Sequence, residues 1–522
     1  MRLTAMGVAL GLACASAARA GDVGQNPWFR AGREAVREAA ARVGGTLRAK
    51  NGILFVGDGM GIATVTAARI LDGQRRGGSG EENLLAFERL PFTAFSKTYN
   101  TDFQVPDSAG TMTAMMSGVK TRAGVLGVDE SVARGDFAAT AKASVPSLLE
   151  QAEARGLWTG VVTTTTLTHA TPAACYAHTP ERNWEVDAKL PDAARAAGFP
   201  DIARQLVEFA HGDGIEVALG GGRAFFLPRT ESDPEYPQQK GARADGRDLV
   251  AEWRKRNPNG AFVFARDQLL ALEAAEKPRV LGLFDPGHMK WELDRASDAA
   301  GEPSLAEMTA KALDLLERAP RGFFLMVEGG RIDHGHHAGN AQRALTDAIE
   351  LANAVRVAQQ RTKPDETLIV VTADHSHTLT ISGYPKRGNP ILGLVVGSAG
   401  EDGEGPEPVR DLSGRPYTTL GYANGPGYAG ASELQPEGAK RFPHYGMKSA
   451  TGITSGRPDL AGVDTTAPDY LQEAAVPLPS ETHAGEDVPV YAGGPGAALF
   501  HGVREQNYVY HAIAAALGLG AP

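Results

Sequence analysis

The chain has 522 residues, 42% of them hydrophobic, with a net charge of −10 and two cysteines. That length allows a large core, two thiols cannot build a disulfide framework, and the acidic balance argues against a nucleic-acid partner. Beyond the N-terminus no apolar run approaches the roughly 20 residues of a membrane span.

The first segment, MRLTAMGVALGLACASAARA, has an early Arg2, a short apolar stretch and small residues ending at Ala20. This is the pattern of a secretory signal peptide cleaved near Ala20, and it predicts a secreted or periplasmic protein. Cys14 offers a lipoprotein alternative, disfavoured because Gly11 stands where a lipid-attachment box prefers an aliphatic residue. After cleavage only Cys175 would remain, so no intrachain disulfide can form. Residues 21–49 are predicted to form an arm whose isolated helix runs from Trp28 to Val43 and stops at Gly44-Gly45. Residues 50–382 alternate short β-branched runs with helical segments such as Ser147 to Arg155, Glu302 to Arg318 and Ala338 to Gln360. The expected core is an α/β fold: a doubly wound, mostly parallel sheet with helices on both faces. Across 383–475 Gly, Pro, Thr and Tyr accumulate, which predicts a small inserted module, irregular or β-rich. Residues 476–522 return to the core and end in a helix over about Gln506 to Leu517.

Four apolar runs each end in metal-ligand side chains: Asp58, His169 with Thr171, Glu328 with Asp333 and His337, and Asp374 with His375. Ligands of open α/β sheets gather outside the carboxyl ends of the strands. Carboxylate and imidazole without thiolate suit zinc and magnesium. Asp333 and His337, four apart, share one face of a helical turn, and His483 in ETHAGED is the candidate third ligand. Asp374, His375 and Asp58 suit a second zinc, and paired zincs clamp the two oxygens of an in-line phosphoryl displacement. Singly, an Asp-x-x-x-His pair or a Gly-Asp-Gly more often marks a surface or a turn; recurrence at several strand ends reverses the odds. His334, His336 and His377 read as surface or supporting residues. Ser108, in QVPDSAGTMTAMMSG, opens a small-residue helix. Beside Asp107 it is either an N-cap or a nucleophile placed where backbone N–H groups attract phosphate.

The segments GDGMG, VPDSAGT, HATPA, YAHTPERNW, VEGGRIDHGHH, TADHSH and ETHAGED together resemble the alkaline phosphatases, in order from about Lys50 to the C-terminus. The resemblance is closer to the animal branch than to the enteric bacterial enzyme, which has Asp and Lys where this chain has His169 and His334. It implies that Ser108 becomes phosphoserine and that Arg182 holds two phosphate oxygens. It implies one zinc on Asp333, His337 and His483, a second on Asp58, Asp374 and His375, and magnesium on Asp58, Thr171 and Glu328 with His169 beside it. More loosely, it implies a fourth, calcium-like site at Glu235, the Phe284 carbonyl, Asp285 and Glu302. A homodimer is implied, its partner covered by the arm and by the inserted, crown-like module.

The expected activity is hydrolysis of small phosphate monoesters. The alternatives are a phosphodiesterase, phosphonate hydrolase or sulfatase on the same scaffold, disfavoured by Arg182, and a catalytically silent metal-binding surface protein, disfavoured by the complete ligand set.

Overall fold

A computed structural model describes residues 23–42, 47–273, 279–397, 407–451 and 456–519. The signal-peptide and Cys14 expectations fall outside them. Ten strands form one sheet whose order, by first residue, is Gly502, Phe92, Val488, Thr367, Asn51, Phe323, Trp158, Val217, Val280, Ala261. Every neighbouring pair is parallel except those made by Val488–Gly493, which runs antiparallel to both Phe92–Lys97 and Thr367–Ala373.

The central strands are apolar at every position because both faces are covered. Leu54, Val56, Met326 and Val370 point into one core with Met112, Leu149 and Ile513, whereas Ile53, Phe55, Leu325, Val327 and Val371 point into a second with Val65, Leu313 and Leu345. Alternation of side chains along each strand thus feeds two layers of helices. The expected helices are observed at Leu148–Ala154, Leu305–Leu316, Ala341–Arg361 and Tyr508–Leu517. Three of them start on clear caps: Ser147 and Ser304 make capping boxes with Glu150 and Glu307, and Asn340 accepts from Arg343 N–H.

The arm helix, Pro27–Arg42, is not isolated within the chain. It lies on the last helix, with the Phe29 ring 5.7 Å from Tyr510 and 4.7 Å from His511, and Asn507 Nδ2 donates to the Trp28 carbonyl. An added Cβ on Gly32 would meet His511 at 2.3 Å, so glycine permits this approach. Between 383 and 475 no helix occurs among the described residues. Leu420–Gly425 instead pairs with Leu379–Ile381 and Ala474–Pro477 in a separate three-stranded sheet.

Candidate active site

Strand register creates the first convergence. Gly57 is paired with Ala373, so Asp58 and Asp374 leave neighbouring strands side by side, and Val56 is paired with Glu328 on the other flank. Three carboxylates from three strands therefore meet at one edge of the sheet. Asp58, Glu328 and Asp374 are all fully buried. Burial and mutual repulsion push Asp58 and Asp374 above the ordinary carboxylate range and Glu328 to about 7. Both Asp58 oxygens, Glu328 Oε1 and Asp374 Oδ2 lack hydrogen-bond partners. Buried carboxylate oxygens without donors are costly alone and fit positions facing cations.

The His375 ring adds a nitrogen to this cluster. Its Nδ1 faces the Ser376 carbonyl at 3.3 Å, an acceptor, so the proton belongs on Nδ1 and the Nε2 lone pair is bare. That lone pair points at Asp58 Oδ1 and Asp374 Oδ2, each 3.3 Å away, and at Ser108 Oγ, 3.2 Å away. A lone pair aimed at carboxylate oxygens is stable only with a cation or proton between them.

A second group repeats this logic. Asp333 and His337 lie one turn apart on the helix Arg331–His337, with Nε2 3.3 Å from Asp333 Oδ1. The strand pair His483–Ala484 and Ser376–His377 brings His483 alongside, 3.3 Å from the same oxygen. His337 Nδ1 donates to the Glu481 carbonyl and His483 Nδ1 to the Pro106 carbonyl, leaving two bare Nε2 atoms 3.1 Å apart. The donor set fits one zinc-like ion.

His377 belongs to this group and is fully buried, which corrects the surface reading. Its Nε2 donates to Asp333 Oδ1 at 2.7 Å and its Nδ1 to Glu481 Oε2 at 2.5 Å. Burial opposes its charge, but Glu481 and Asp333 outweigh it and raise His377 to about 10, so it is an imidazolium that steadies Asp333. His336 is also buried, between Thr64 Oγ1 and the Tyr422 hydroxyl. The sequence signal for Glu481 was its place in ETHAGED two residues before His483; nothing singled out His377 from its neighbours.

Ser108 begins the helix Ser108–Ser117, which is buried along its whole length. The cap is Asp107, whose Oδ1 accepts from Gly110 N–H at 3.1 Å, so the Ser108 hydroxyl is not needed as a cap. Asp107 Oδ2 accepts from Arg182 Nη1 at 3.0 Å. Burial would raise Asp107, but Arg182 and backbone donors hold it below its ordinary value. Arg182 Nη2 donates to His169 Nε2 at 3.1 Å. His169 is kept neutral by burial and by Arg182, and one of its ring nitrogens shares a cation-sized space with Asp58 and Glu328. Thr171 is fully buried with its hydroxyl beside Glu328. His334 packs on His169 with ring centroids 5.5 Å apart, as does His288, which sequence reasoning missed.

The calcium-like residues come together only in part. Asp285 and Glu302 are joined by Asp298, also missed, whose oxygens complete a group small enough for one cation. Glu235 lies beside them on Arg223, 2.9 Å from Nη2. Lys290 Nζ already approaches Asp285 at 2.8 Å, and Phe284 is a buried residue just past the strand Val280–Leu283. Burial and the neighbouring Asp285 and Asp298 lift Glu302 to about 9, and its Oε1 is unpartnered. Among the described residues no helix is long and apolar enough to cross a membrane.

Known proteins resemble this chain along most of its length. The family model described as "Alkaline phosphatase" matches residues 49–519. The chain is 48% identical over 479 residues to the tissue-nonspecific alkaline phosphatase of Gallus gallus, covering 90% of this chain and 85% of the relative. It is 45% identical to an alkaline phosphatase of Gadus morhua, covering 91% and 92%. Among solved structures, the Thermus thermophilus alkaline phosphatase superposes with a TM-score of 0.61 at 24% identity, covering 91% of this chain and 93% of that one, which supports the fold.

Proposed function

The chain belongs to the alkaline phosphatase family, and we propose that it hydrolyses phosphate monoesters through a phosphoserine on Ser108. The observation that carries this reading is the place of Ser108 at a helix N-terminus, with its Oγ 3.2 Å from the bare His375 Nε2 and with the Asp107 that pairs with Arg182 directly before it in the chain. Asp333, His337 and His483 would hold one zinc, Asp58, Asp374 and His375 a second, and Asp58, Thr171 and Glu328 a magnesium with His169 beside it. Glu235, the Phe284 carbonyl, Asp285, Asp298 and Glu302 would surround a fourth, calcium-like ion. Bound zinc would lower the pKa of the serine hydroxyl and of a hydrolytic water and stabilise the departing oxygen, while magnesium would add positive charge at the site.

The chain's own groups supply position and sign. Arg182 is committed to Asp107 through Nη1 and to His169 through Nη2. Each of these nitrogens carries a second N–H, so the two terminal nitrogens alone keep a donor each for two nonbridging phosphate oxygens. The partial positive charge of the helix Ser108–Ser117 favours an ionised Ser108 oxygen. That oxygen attacks phosphorus in line, the ester oxygen leaves on the far side, and water then displaces Ser108 by a second in-line attack. Two inversions retain configuration at phosphorus.

The protein is read as exported, with residues 1–20 as its signal, and as a homodimer. Incubation with labelled phosphate and acid quenching should label the parent protein at Ser108. Ser108→Ala should keep its metal content and carry no label; equal label on the variant would overturn the assignment.

A further inference from the structure

A separate group of carboxylates lies at the far end of the sheet from Ser108, where the strands Trp158–Thr166 and Val217–Gly221 begin. Glu153 comes from the helix Leu148–Ala154, Glu216 directly precedes Val217, and Asp213 belongs to the loop that leads into that strand. One oxygen of each lies within 4.8 Å of the other two. Strand register makes this meeting: Gly160 pairs with Val217, so Thr159 sits beside Glu216 and serves both buried acids. Its N–H donates to Glu216 Oε2 at 2.6 Å and its hydroxyl to Glu153 Oε1 at 2.5 Å. Gly212, at φ +56°, lets the loop close on the other side, where an added Cβ would stand 2.5 Å from Glu153 Oε2.

The remaining oxygens show what the group lacks. Glu153 is 2% exposed and Glu216 0%, yet Glu153 Oε2 and Glu216 Oε1 have no hydrogen-bond donor. The guanidinium beside them is committed to backbone: Arg279 Nη1 donates to the Gly214 carbonyl, and Nη2 to the Asp213 carbonyl at 2.5 Å. Nη1 passes 2.8 Å from Glu216 Oε1 without aligning an N–H on it, and Nη2 lies 3.2 Å from Asp213 Oδ1. Three carboxylates against one guanidinium leave an excess of negative charge. Glu150, one turn earlier on the same helix as Glu153, shows the contrast, because Ser147 N–H, His178 Nε2 at 2.9 Å and His211 Nε2 at 3.2 Å serve its oxygens. An unserved buried carboxylate is costly, and burial above all lifts Glu153 to about 7 and Glu216 to about 9. A cation in the shared space removes that cost.

We propose that Glu153, Asp213 and Glu216 bind one hard divalent cation, calcium in preference to magnesium, which pins the loop before Val217 to the helix Leu148–Ala154. Oxygen donors without imidazole or thiolate select a hard ion. The donors come from three separate elements, which suits the flexible shell of calcium better than the strict octahedron of magnesium. The Asp213 side chain is 47% exposed, so the ion has an entry and water can fill its remaining positions. The group shares no residue with the cation positions around Ser108 or with Glu235, Asp285, Asp298 and Glu302.

The test uses the full-length protein prepared without calcium, with zinc and magnesium held constant, at alkaline pH, where these carboxyls ionise. Radioactive calcium is counted by equilibrium dialysis in the parent and in Glu153→Gln/Glu216→Gln, whose side chains keep their shape. The variant should bind one calcium ion fewer per chain; an ion at Asp285, Asp298 and Glu302 is common to both proteins and cancels. Asp213→Asn keeps the buried pair intact and should bind the ion about tenfold more weakly, because affinity follows ligand charge. Its monoester hydrolysis should equal the parent's, which reports a folded protein. In the parent, calcium should slow amide exchange across residues 211–215 more than magnesium does. Equal calcium counts in parent and double variant, superimposable titrations of parent and Asp213→Asn, or no slowing of exchange in the loop would overturn the site and leave a proton shared by Glu153 and Glu216 as what neutralises the group. Equal slowing by magnesium would overturn the preference for calcium.

Discussion

Replacing Arg182 with alanine separates recognition of a doubly charged phosphate from general catalytic competence. The terminal nitrogens Nη1 and Nη2 each keep one uncommitted N–H once Asp107 at 3.0 Å and His169 at 3.1 Å are served. A hydrogen bond to a charged group is worth about 1.5–3 kcal/mol. Two such bonds to a monoester amount to about 3–6 kcal/mol, and kcat/KM should fall by about 10²–10⁴. A diester carries one negative charge where the monoester carries two, and loses about half of that energy. The ratio of monoester to diester kcat/KM should therefore drop by about 10–150-fold. Removing Arg182 also strips Asp107 of its partner, so the comparison is repeated in Asp107→Ala/Arg182→Ala, where no unpaired carboxylate remains. Selectivity should stay lost in the double variant. An equal fall for aryl monoester and aryl diester would show that Arg182 serves only to hold Asp107 and the helix behind it.

His169→Asp should tighten magnesium binding and reduce inhibition by excess zinc, because a carboxylate brings charge where imidazole brings a nitrogen; superimposable magnesium titrations would move His169 away from the third ion. At the opposite end of the sheet, Glu216 is raised to about 9 by burial first and by nearby Glu153 second. A carboxyl with a raised folded pKa binds more protons folded than unfolded, so stability is lost as pH climbs from the unfolded value of about 4.5 towards 9, at up to about 1.4 kcal/mol per pH unit. Glu216→Gln should flatten that loss in chemical denaturation series at fixed metal; an unchanged slope would refute the assignment.

How much was legible in the sequence follows from what each residue type announces. The parallel core was readable because strands covered on both faces must be apolar at every position, as Ile53 to Val56 are. Ser108 and the Asp333–His337 pair were readable because helical geometry fixes what one turn can present. The arm helix was visible as an element, but its seat on Tyr510 and His511 depends on a contact across nearly the whole chain. The role of His377 was hidden for a related reason: only the pairing of residue 377 with 483 turns an ordinary histidine into the charged group between Asp333 and Glu481. Asp298 and His288 were missed because each lies in a connecting segment whose path no periodicity predicts.

The antiparallel strand Val488–Gly493 has a consequence for biosynthesis. It is among the last strands to leave the ribosome, yet its place is between Phe92–Lys97 and Thr367–Ala373. Until it arrives those two strands have no common neighbour, and the segment carrying His483 cannot be seated against Asp333. A nascent or truncated chain can thus complete most of its helices and still lack the third nitrogen or oxygen donor of that metal group. Such late, long-range pairing slows folding. Assembly of that donor group is thereby tied to the arrival of the C-terminal segment of the chain.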